Sequence, residues 1–321
     1  MHATAAPRSV PVLREYDDWP SGPLHLVIGE FDGVDIGHHA AVRALHESAR
    51  RDGATAMAMH FDPIPIDYLA PAAPRSALTD AAERTRRLFQ AGADAVVVVR
   101  FDDDFSHQLP EEFISRVVDA GEVRRVIVGP DFRFGHDRVG DIRTLVSLGV
   151  RHGFAVDVID TVYSDRRAVT AVLVRNALLA GDVADADRLL GRTYSLVGRV
   201  APDGRLRAKG LGHPAIELHL PTDRLVPRDG VYAVWAVVDG KRVGAVANLA
   251  LFVGASGGLE RHLDVHVLEP DEPLRGGSVE VLFVRRVRDE LRFASGWELA
   301  QQITRDVAAA KDALREETAP Q

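Results

Sequence analysis

One glycine-rich segment carries several of the residue types that bind phosphate. It runs from Gly29 to His38, follows the apolar residues 24–28 and precedes a helical pattern over 40–51. A strand, a glycine-rich turn and a helix start bring backbone N–H groups and the positive end of a helix dipole to one point. The imidazole of His38 adds a side-chain donor there. We therefore predict a phosphate-binding turn; the alternative is an ordinary turn whose glycines serve only backbone geometry.

A second set of candidates is aromatic and cationic. In the segment Asp131-Phe132-Arg133-Phe134, two aromatic rings flank an arginine. Such a group can hold a planar ligand through apolar and cation–π contacts. The alternative is a loop that Phe132 and Phe134 anchor while Arg133 is solvated, and the residues alone leave the two interpretations even.

Other polar residues indicate no metal or nucleophilic site. The run Asp102-Asp103-Asp104 is more typical of a solvated helix start than of a metal cluster. No serine lies in a nucleophile elbow. Several histidines are scattered without the spacing of metal ligands: His25, His46, His60, His107 and His152. We assign no metal ligand from these patterns.

Composition excludes several classes of function. The net charge of −8 does not favour broad nucleic-acid binding, and the absence of cysteine excludes disulfides and thiolate chemistry. No apolar run approaches the length of about 20 residues that crosses a bilayer, and residues 1–12 lack the apolar core of a secretory signal. We therefore expect a cytoplasmic protein that binds neither membranes nor nucleic acid. The sequence predicts no oligomeric state.

The first half of the chain alternates short apolar runs with helical patterns. The predicted strands are 24–28, 54–61, 95–100, 125–128 and 155–159, and the predicted helices are 40–51, 80–91, 110–120 and 140–152. This alternation is typical of a parallel sheet with helices on both faces. Ligands of such sheets bind beyond the carboxyl ends of the strands, where the turn at 29–38, the Phe61-Asp62-Pro63 turn and the 129–135 loop all fall. On its own, the Phe61-Asp62-Pro63 turn is more typical of a purely structural turn, because its proline makes the backbone rigid.

The second half has a different pattern. Two helices are predicted at 170–180 and 183–190, and a long amphipathic helix at 295–315. Between them, short strands with Gly, Pro and Asp turns predict a small barrel. These strands are 195–200, 215–220, 231–239, 241–251, 262–268 and 278–286. We predict a first domain over 1–185 and a second over 186–321.

Together these motifs resemble the prokaryotic bifunctional riboflavin kinase/FAD synthetase family, from about Leu24 to Leu314. The motifs that carry the resemblance are Gly29–His38, Phe61-Asp62-Pro63, Gly129–Gly135 with Gly140-Asp141, Gly181-Asp182, Leu190–Ser195, Asp229–Ala233, Val246-Ala247-Asn248 and Arg292-Phe293. The resemblance implies an α/β nucleotidyltransferase domain of the Rossmann-like, His-Xaa-Gly-His type. It also implies a small antiparallel β-barrel of riboflavin kinase type that ends in a helix.

The resemblance further implies that the first domain joins FMN and ATP into FAD and pyrophosphate, and that the barrel phosphorylates riboflavin, with ATP and Mg²⁺ in both reactions. Carried over to this chain, it assigns catalysis to His38, Asp35 and Arg175. The implied nucleotide-binding residues are Gly29, Phe31, Asp32, Gly33, Gly37, His38, Thr170 and Arg175. The implied flavin-binding residues are Phe61, Asp62, Asp131, Phe132 and Arg133.

The chain departs from the family pattern in the first domain. Asp35 stands where the family has the first histidine of His-Xaa-Gly-His. A carboxylate about 4 Å from a phosphate charge costs roughly 1–4 kcal/mol per pair at effective dielectric constants of 80 to 20. Asp35 therefore weakens ATP binding, binds magnesium or signals another ligand. The Ser-Ser-Thr-Xaa-Ile-Arg segment of the family aligns with 170–175, where Thr170 and Arg175 remain and two hydroxyls are lost.

The barrel departs further. The family's Pro-Thr-Ala-Asn motif aligns with Pro214, Ala215, Ile216 and Glu217, which removes a hydroxyl and an amide. Asn248 is kept, but the family's catalytic glutamate aligns with Asp264, whose side chain is shorter. We expect riboflavin kinase activity to be lost from this degenerate kinase site.

These departures leave three hypotheses. The favoured one is a divergent FAD synthetase-like nucleotidyltransferase with a structural or ligand-binding barrel. The second is a flavin- or nucleotide-binding protein without catalysis. The third is an enzyme of the same fold that acts on another substrate and uses Asp35 as an acid, a base or a metal ligand.

Overall fold

The computed structural model describes residues 12–14, 16–70, 77–201, 215–253, 259–268 and 277–318. The chain forms two compact units, Met1–Ala171 and Val172–Gln321. The helices predicted at 170–180 and 183–190 thus belong to the second unit, whereas the predicted boundary at 185/186 divides the chain just after the second of them begins.

The first unit contains a parallel six-stranded sheet in the order β1-β4-β3-β2-β5-β6. Its strands are β1 (Val12–Arg14), β2 (Pro23–Ile28), β3 (Thr55–Asp62), β4 (Ala95–Arg100), β5 (Glu122–Val128) and β6 (Ala155–Val158). Its helices are α1 (Ile36–Asp52), α2 (Pro65–Leu69), α3 (Ala81–Ala91), α4 (Asp103–Ser106), α5 (Pro110–Ala120) and α6 (Ile142–His152). A 3₁₀ turn (His136–Arg138) and a short hairpin, β7 (Tyr163–Ser164) and β8 (Arg167–Ala168), complete the unit.

Apolar side chains on both faces of this sheet form its core. Val97 and Val99 pack in one cluster and Val96 in another, so the run of valines in β4 is covered by helices on both sides. This confirms the predicted α/β class. Asp102 accepts a hydrogen bond from the backbone N–H of Phe105 and caps α4, as expected for a helix start.

The second unit contains a closed barrel in the order β10-β13-β12-β11-β14-β9, with every pairing antiparallel. Its strands are β9 (Ser195–Val200), β10 (Ala215–His219), β11 (Gly230–Val238), β12 (Lys241–Val253), β13 (Leu259–Val267) and β14 (Ser278–Arg288). Its helices are α7 (Ala171–Ala180), α8 (Val183–Leu190) and α9 (Gly296–Thr318). The predicted barrel and terminal helix are confirmed.

Helix α9 covers part of the outer face of the barrel. Val231 and Ala233 of β11 and Val246 of β12 pack with Ala310 and Leu314 of α9. Because side chains alternate along a strand, these contacts define which residues point outward. The neighbouring positions in the same strands point into the barrel interior.

Candidate functional site

The turn between β2 and α1 is held in an unusual backbone conformation. Phe31, Gly33 and Val34 have φ angles of 51°, 86° and 46°. Phe31 and Val34 are also buried, at 1% and 0% exposure. Non-glycine residues rarely adopt positive φ, and a β-branched side chain does so least readily, so the surrounding contacts must hold this turn. A Cβ at Gly29 would lie 3.2 Å from the ring of Phe31, a tight contact that favours glycine at this position.

Asp32 ties this turn to the segment before α3. Its buried carboxylate accepts hydrogen bonds from the backbone N–H of Leu78, at 2.9 Å, and of Thr79, at 3.0 Å. The Thr79 hydroxyl in turn accepts from the N–H of Gly33 at 3.0 Å. The buried side chain of Asp32 therefore stabilises the backbone of the turn and is not exposed to solvent.

Arg84 links the same turn to the end of β3. Its guanidinium is 2% exposed and donates to the carbonyl oxygens of Phe61, at 3.0 Å, and Thr79, at 3.3 Å. It also lies 4.0 Å from Asp32 and 3.7 Å from Asp62. Sequence reasoning missed Arg84. The available signal was its position four residues before Leu88, on the buried stripe of α3.

Asp35 is the N-cap of α1. Its carboxylate accepts from the backbone N–H of His38 at 2.9 Å, and its own N–H donates to Nδ1 of His38 at 3.1 Å, which completes a capping box. Helix α1 therefore begins at Ile36, four residues before the predicted start at residue 40. The side chain of Asp35 is only 4% exposed, so its charge faces the helix terminus and His38.

Asp35 and His38 form an ion pair with Nδ1 to Oδ1 at 3.1 Å. Burial raises the pKa of Asp35, but the charge of His38 and hydrogen bonds from His38 and Gly37 outweigh it, so the net pKa is lowered. Burial lowers the pKa of His38, but Asp35, then Asp32 and Glu30, outweigh it, so the net pKa is raised. The ring of His38 packs against Phe31, with centroids 5.1 Å apart. The pair thus stabilises a cation at the helix start.

The aromatic flavin candidates lie in one row of rings at the carboxyl edge of the sheet. Phe61 contacts Phe105 with centroids 5.5 Å apart, and Phe105 contacts Phe113 at 5.7 Å. The row continues through Phe134, 6.0 Å from Phe113, to Phe132, which stacks on Phe134 at 5.3 Å. The row therefore connects the two predicted flavin-binding segments.

The polar flavin candidates are more exposed. Arg133 lies 3.9 Å from Asp141, the N-cap of α6, whose carboxylate accepts from the N–H and hydroxyl of Thr144. Asp131 is exposed, and Asp62 is 53% exposed. Asp62 follows Phe61 at one end of the aromatic row, and Asp131 and Arg133 flank Phe132 at the other end, where their side chains are exposed.

The remaining nucleotide candidates lie in different units. Thr170 is exposed and immediately precedes α7, whereas Arg175 lies on α7 in the second unit. Gly37 is the second residue of α1, where a Cβ would lie 3.2 Å from Asp35.

Strand pairing in the barrel brings three of the kinase candidates together. Glu217 of β10 pairs with Asp264 of β13, which pairs with Asn248 of β12. Asn248 follows Val246 by two residues and so shares its outward direction. We call these three residues the polar row. Ala215 is the first residue of β10, and Pro214 lies outside the described residues.

Two histidines that sequence reasoning did not consider border the polar row. His262, two residues before Asp264, contacts the carboxylate of Glu217 through Nδ1. Its ring lies 5.3 Å from that of His219. The alternation of β10 and β13 was the available signal, because it places both histidines on the outer face. Within the described parts of both units, no group of three or more His, Asp or Glu residues is arranged to hold a metal ion.

Two family models match the chain, one over the α/β sheet and one over the barrel. A family model described as FAD synthetase matches residues 20–172, and one described as riboflavin kinase matches residues 190–314. The first match contains the turn at 29–38 and the aromatic row. The second contains the whole barrel and most of α9.

Individual relatives give the same result. The chain is 38% identical over 287 residues to a bifunctional riboflavin kinase/FMN adenylyltransferase of Pseudomonas fluorescens, covering 88% of this chain and 91% of the relative. It is 35% identical over 290 residues to the protein of that name from Escherichia coli K12, covering 89% and 91%.

A solved structure is also similar over most of its length. It is described as a macrolide-efflux protein from Streptococcus pneumoniae and superposes with a TM-score of 0.84 at 25% identity, covering 94% of this chain and 98% of that one. Among the described helices of the present chain, none is long and apolar enough to cross a membrane.

Proposed function

Because the chain belongs to the bifunctional riboflavin kinase/FMN adenylyltransferase family, we propose that it joins FMN and ATP into FAD and that its barrel no longer phosphorylates riboflavin. The observation that carries the first part is the retained turn at 29–38, which ends at the start of α1 with the partly exposed His38. The second part rests on the substitutions in the polar row.

In the proposed reaction, an oxygen of the FMN phosphate attacks the α-phosphorus of ATP. A new P–O bond forms, the bond to the β-phosphate bridging oxygen breaks, and pyrophosphate leaves. Negative charge accumulates on the phosphate oxygens, so positioned donors and cations supply most of the catalysis. His38 is the candidate donor of the turn: burial lowers its pKa, but the charge of Asp35 and its hydrogen bond outweigh this, so the net pKa is raised.

We propose that the aromatic row binds the flavin. Phe61 and Phe132 belong to the two predicted flavin-binding segments that the row connects. The exposed polar groups next to these rings are those of Asp62, Asp131 and Arg133. An isoalloxazine ring is planar, and offset contacts with phenylalanine rings suit its shape. Thr170 and Arg175 remain candidates for the phosphate of the nucleotide.

Mg²⁺ fits this proposal as a partner of ATP. This ion keeps several water ligands and is commonly held by substrate phosphates with one or two carboxylates. It therefore needs no preformed cluster of protein ligands. When bound, it would neutralise part of the triphosphate charge. Asp35 is a poor candidate to hold it, because its carboxylate already accepts from the N–H of His38 at 2.9 Å and is 4% exposed.

A test of this function uses the full chain with ATP, Mg²⁺ and either FMN or riboflavin. We expect FAD and pyrophosphate from FMN, a loss of about 10²–10³-fold in kcat/KM for His38→Ala, and no FMN from riboflavin. The matched control is His39→Ala, the next residue of α1. Equal FAD formation by wild type and His38→Ala contradicts the adenylyltransferase assignment, and FMN formed from riboflavin contradicts the loss of kinase activity.

A second candidate function is binding of flavin or nucleotide without turnover. It is favoured by the position of Asp35, whose carboxylate accepts from backbone N–H groups of the first turn of α1 that could otherwise bind a phosphate. Calorimetry with FMN and with a non-hydrolysable ATP analogue separates the candidates. Binding with no FAD formed supports this second function, whereas turnover excludes it.

A further inference from the structure

The side chain and backbone of Asp35 both engage the same ring atom of His38. Nδ1 lies 3.1 Å from the backbone N–H of Asp35 and 3.1 Å from its Oδ1. Among the hydrogen bonds found in the described part of the first unit, Nε2 of His38 is not used. The side chain is 27% exposed, so a ligand can reach the ring.

We propose that Asp35 is a positioning residue for His38, holding Nδ1 so that Nε2–H is the donor presented to the phosphates of the nucleotide. The proposal rests on the adenylyltransferase function proposed above. It gives the substituted position a role in the reaction: the carboxylate that replaces a histidine acts through the histidine that remains.

Two hydrogen-bonding states are compatible with this geometry, and Asp35 supports both. When the imidazole is neutral, Nδ1 accepts from the N–H of Asp35 and the proton resides on Nε2. When it is protonated, Nδ1–H donates to Oδ1 and Nε2–H is kept. In both states Nε2 carries the proton, so the ring never turns an acceptor lone pair from that atom toward a phosphate oxygen.

The groups around His38 favour the charged state. Three carboxylates act on it, those of Asp35, Asp32 and Glu30, and the ring of Phe31 packs on it. Burial lowers the pKa of His38, but these carboxylates outweigh it and the net pKa is raised. The guanidinium of Arg84 lies 4.0 Å from the carboxylate of Asp32. The imidazolium therefore persists to higher pH than that of an ordinary histidine.

The decisive variant is Asp35→Asn. Asparagine is an equally good N-cap, so α1 keeps its start while the charge next to His38 is removed. The matched control is Asp80→Asn, because Asp80 caps α3 through the same kind of hydrogen bond, from Glu83, at 2.7 Å. The control tests whether any loss of charge at a helix cap produces the effect.

The first measurement is an NMR titration of the His38 imidazole in the full chain without substrates, with the signal assigned from His38→Gln. We expect the pKa of His38 to fall by at least about one unit in Asp35→Asn, a tenfold change in its proton affinity, and to stay unchanged in Asp80→Asn. The Nε2–H tautomer should dominate the neutral form of wild type. An unchanged pKa in Asp35→Asn, or a neutral form protonated on Nδ1, overturns the proposal.

The second measurement is the pH profile of FAD formation. A raised pKa keeps His38 charged at higher pH, so activity is lost as pH rises through that pKa, and Asp35→Asn should lose activity at lower pH than wild type. The titration requires no turnover. An inactive wild type with the expected titration therefore contradicts only the proposed function, whereas an active wild type with a pH profile identical to that of Asp35→Asn contradicts the positioning role.

Discussion

The turn at 29–38 and the polar row on the barrel are two candidate phosphate sites built in different ways. The shape of the turn depends on its backbone, which has positive φ angles at three residues and leads into a helix start. The carboxylate of Asp32 accepts hydrogen bonds from the N–H groups of Leu78 and Thr79 and stabilises this backbone. The polar row owes its properties to side chains that strand register places next to one another. The sequence predicts a departure from the family pattern in each site, at Asp35 in the turn and at Glu217 and Asp264 in the polar row.

A site built from backbone and a site built from side chains are expected to tolerate amino-acid substitutions to different extents. In the turn, aspartate replaces histidine at an N-cap, a position that favours Asp for its own reasons. Asp35 caps α1 at this position, and its charge is matched by that of His38. In the polar row, the proposed loss of activity rests on a carboxylate that is one methylene shorter at Asp264, and we expect the backbone not to compensate for the shorter reach. We therefore expect substitution to impair the polar row more than the turn.

The largest expected effect is a loss of stability when the buried carboxylate of Asp32, which holds the turn, is removed. Asp32→Ala removes the acceptor for the N–H groups of Leu78 and Thr79, leaving buried donors unsatisfied, and should destabilise the first unit by about 3 kcal/mol. Urea unfolding followed by Trp19 fluorescence, in a variant without Trp235 and Trp297, measures it. The exposed Glu47→Ala should change stability by no more than about 0.5 kcal/mol. Equal effects of the two variants would show that Asp32 does not hold the turn.

The next effect concerns acid sensitivity of the first unit. Burial, followed by the charge of Arg84, lowers the pKa of His60 to about 3, so this histidine stays neutral in the fold. The unfolded chain takes up a proton below pH 6.5, so stability falls with pH from about 6.5 toward 3, by about 2 kcal/mol at pH 5. His60→Gln should remove that part of the slope while keeping a polar partner for Thr85. A slope unchanged by the substitution rules out His60 as its source.

A smaller effect asks whether side chains alone limit the polar row. The triple change Ala215→Thr, Glu217→Asn and Asp264→Glu introduces the residues of the family motif on β10 and β13. It should bring FMN formation from riboflavin to at least about tenfold above the wild-type background, a difference of about 1.4 kcal/mol. FAD formation from FMN should not change. The control is Asp312→Glu, which lengthens an exposed carboxylate on α9. No gain in the triple variant would place the defect elsewhere in the barrel.

The smallest expected effect concerns the stability of the second unit, which should fall as pH rises, the opposite of the trend expected from His60 in the first unit. Burial raises the pKa of Asp187 to about 7, although the N–H of Tyr194 and Arg192 favour its charged form. The folded state then holds a proton that the unfolded chain releases above pH 3.8, so stability falls as pH rises, by about 1 kcal/mol between pH 4 and pH 5. Asp187→Asn keeps an acceptor for Tyr194 and should flatten this slope in unfolding followed by Trp235. A slope that persists contradicts the assignment.

Local patterns predicted most of the fold. Helix α5 lies at 110–120 as the sequence predicts, because Pro110 begins it and an apolar stripe continues through it. The edge strand β1 was not predicted, since three residues are too few to show alternation. Helix α1 starts four residues earlier than predicted, because Gly37 and His38 are weak helix formers and only the cap at Asp35 fixes the start there.

The candidate site was predictable where neighbours in sequence make it. The turn at 29–38 and the aromatic segment at 131–134 could be found from their residue types alone. The contacts of Asp32 with Thr79 and of Arg84 with Phe61 join residues far apart along the chain, so no local pattern reports them. The pairing of Glu217 with Asp264 likewise depends on strand register. The roles of all these residues in binding and catalysis stay predictions.

The positive φ angles of Phe31 and Val34 have a consequence for how a nucleotide would bind. Both residues are locked by burial before any ligand arrives, and Asp32 holds the neighbouring backbone in place. The entropy of ordering this segment is therefore lost during folding rather than during association. Such a preorganised turn would bind a phosphate without changing its own backbone conformation, so association would carry little additional cost in conformational entropy.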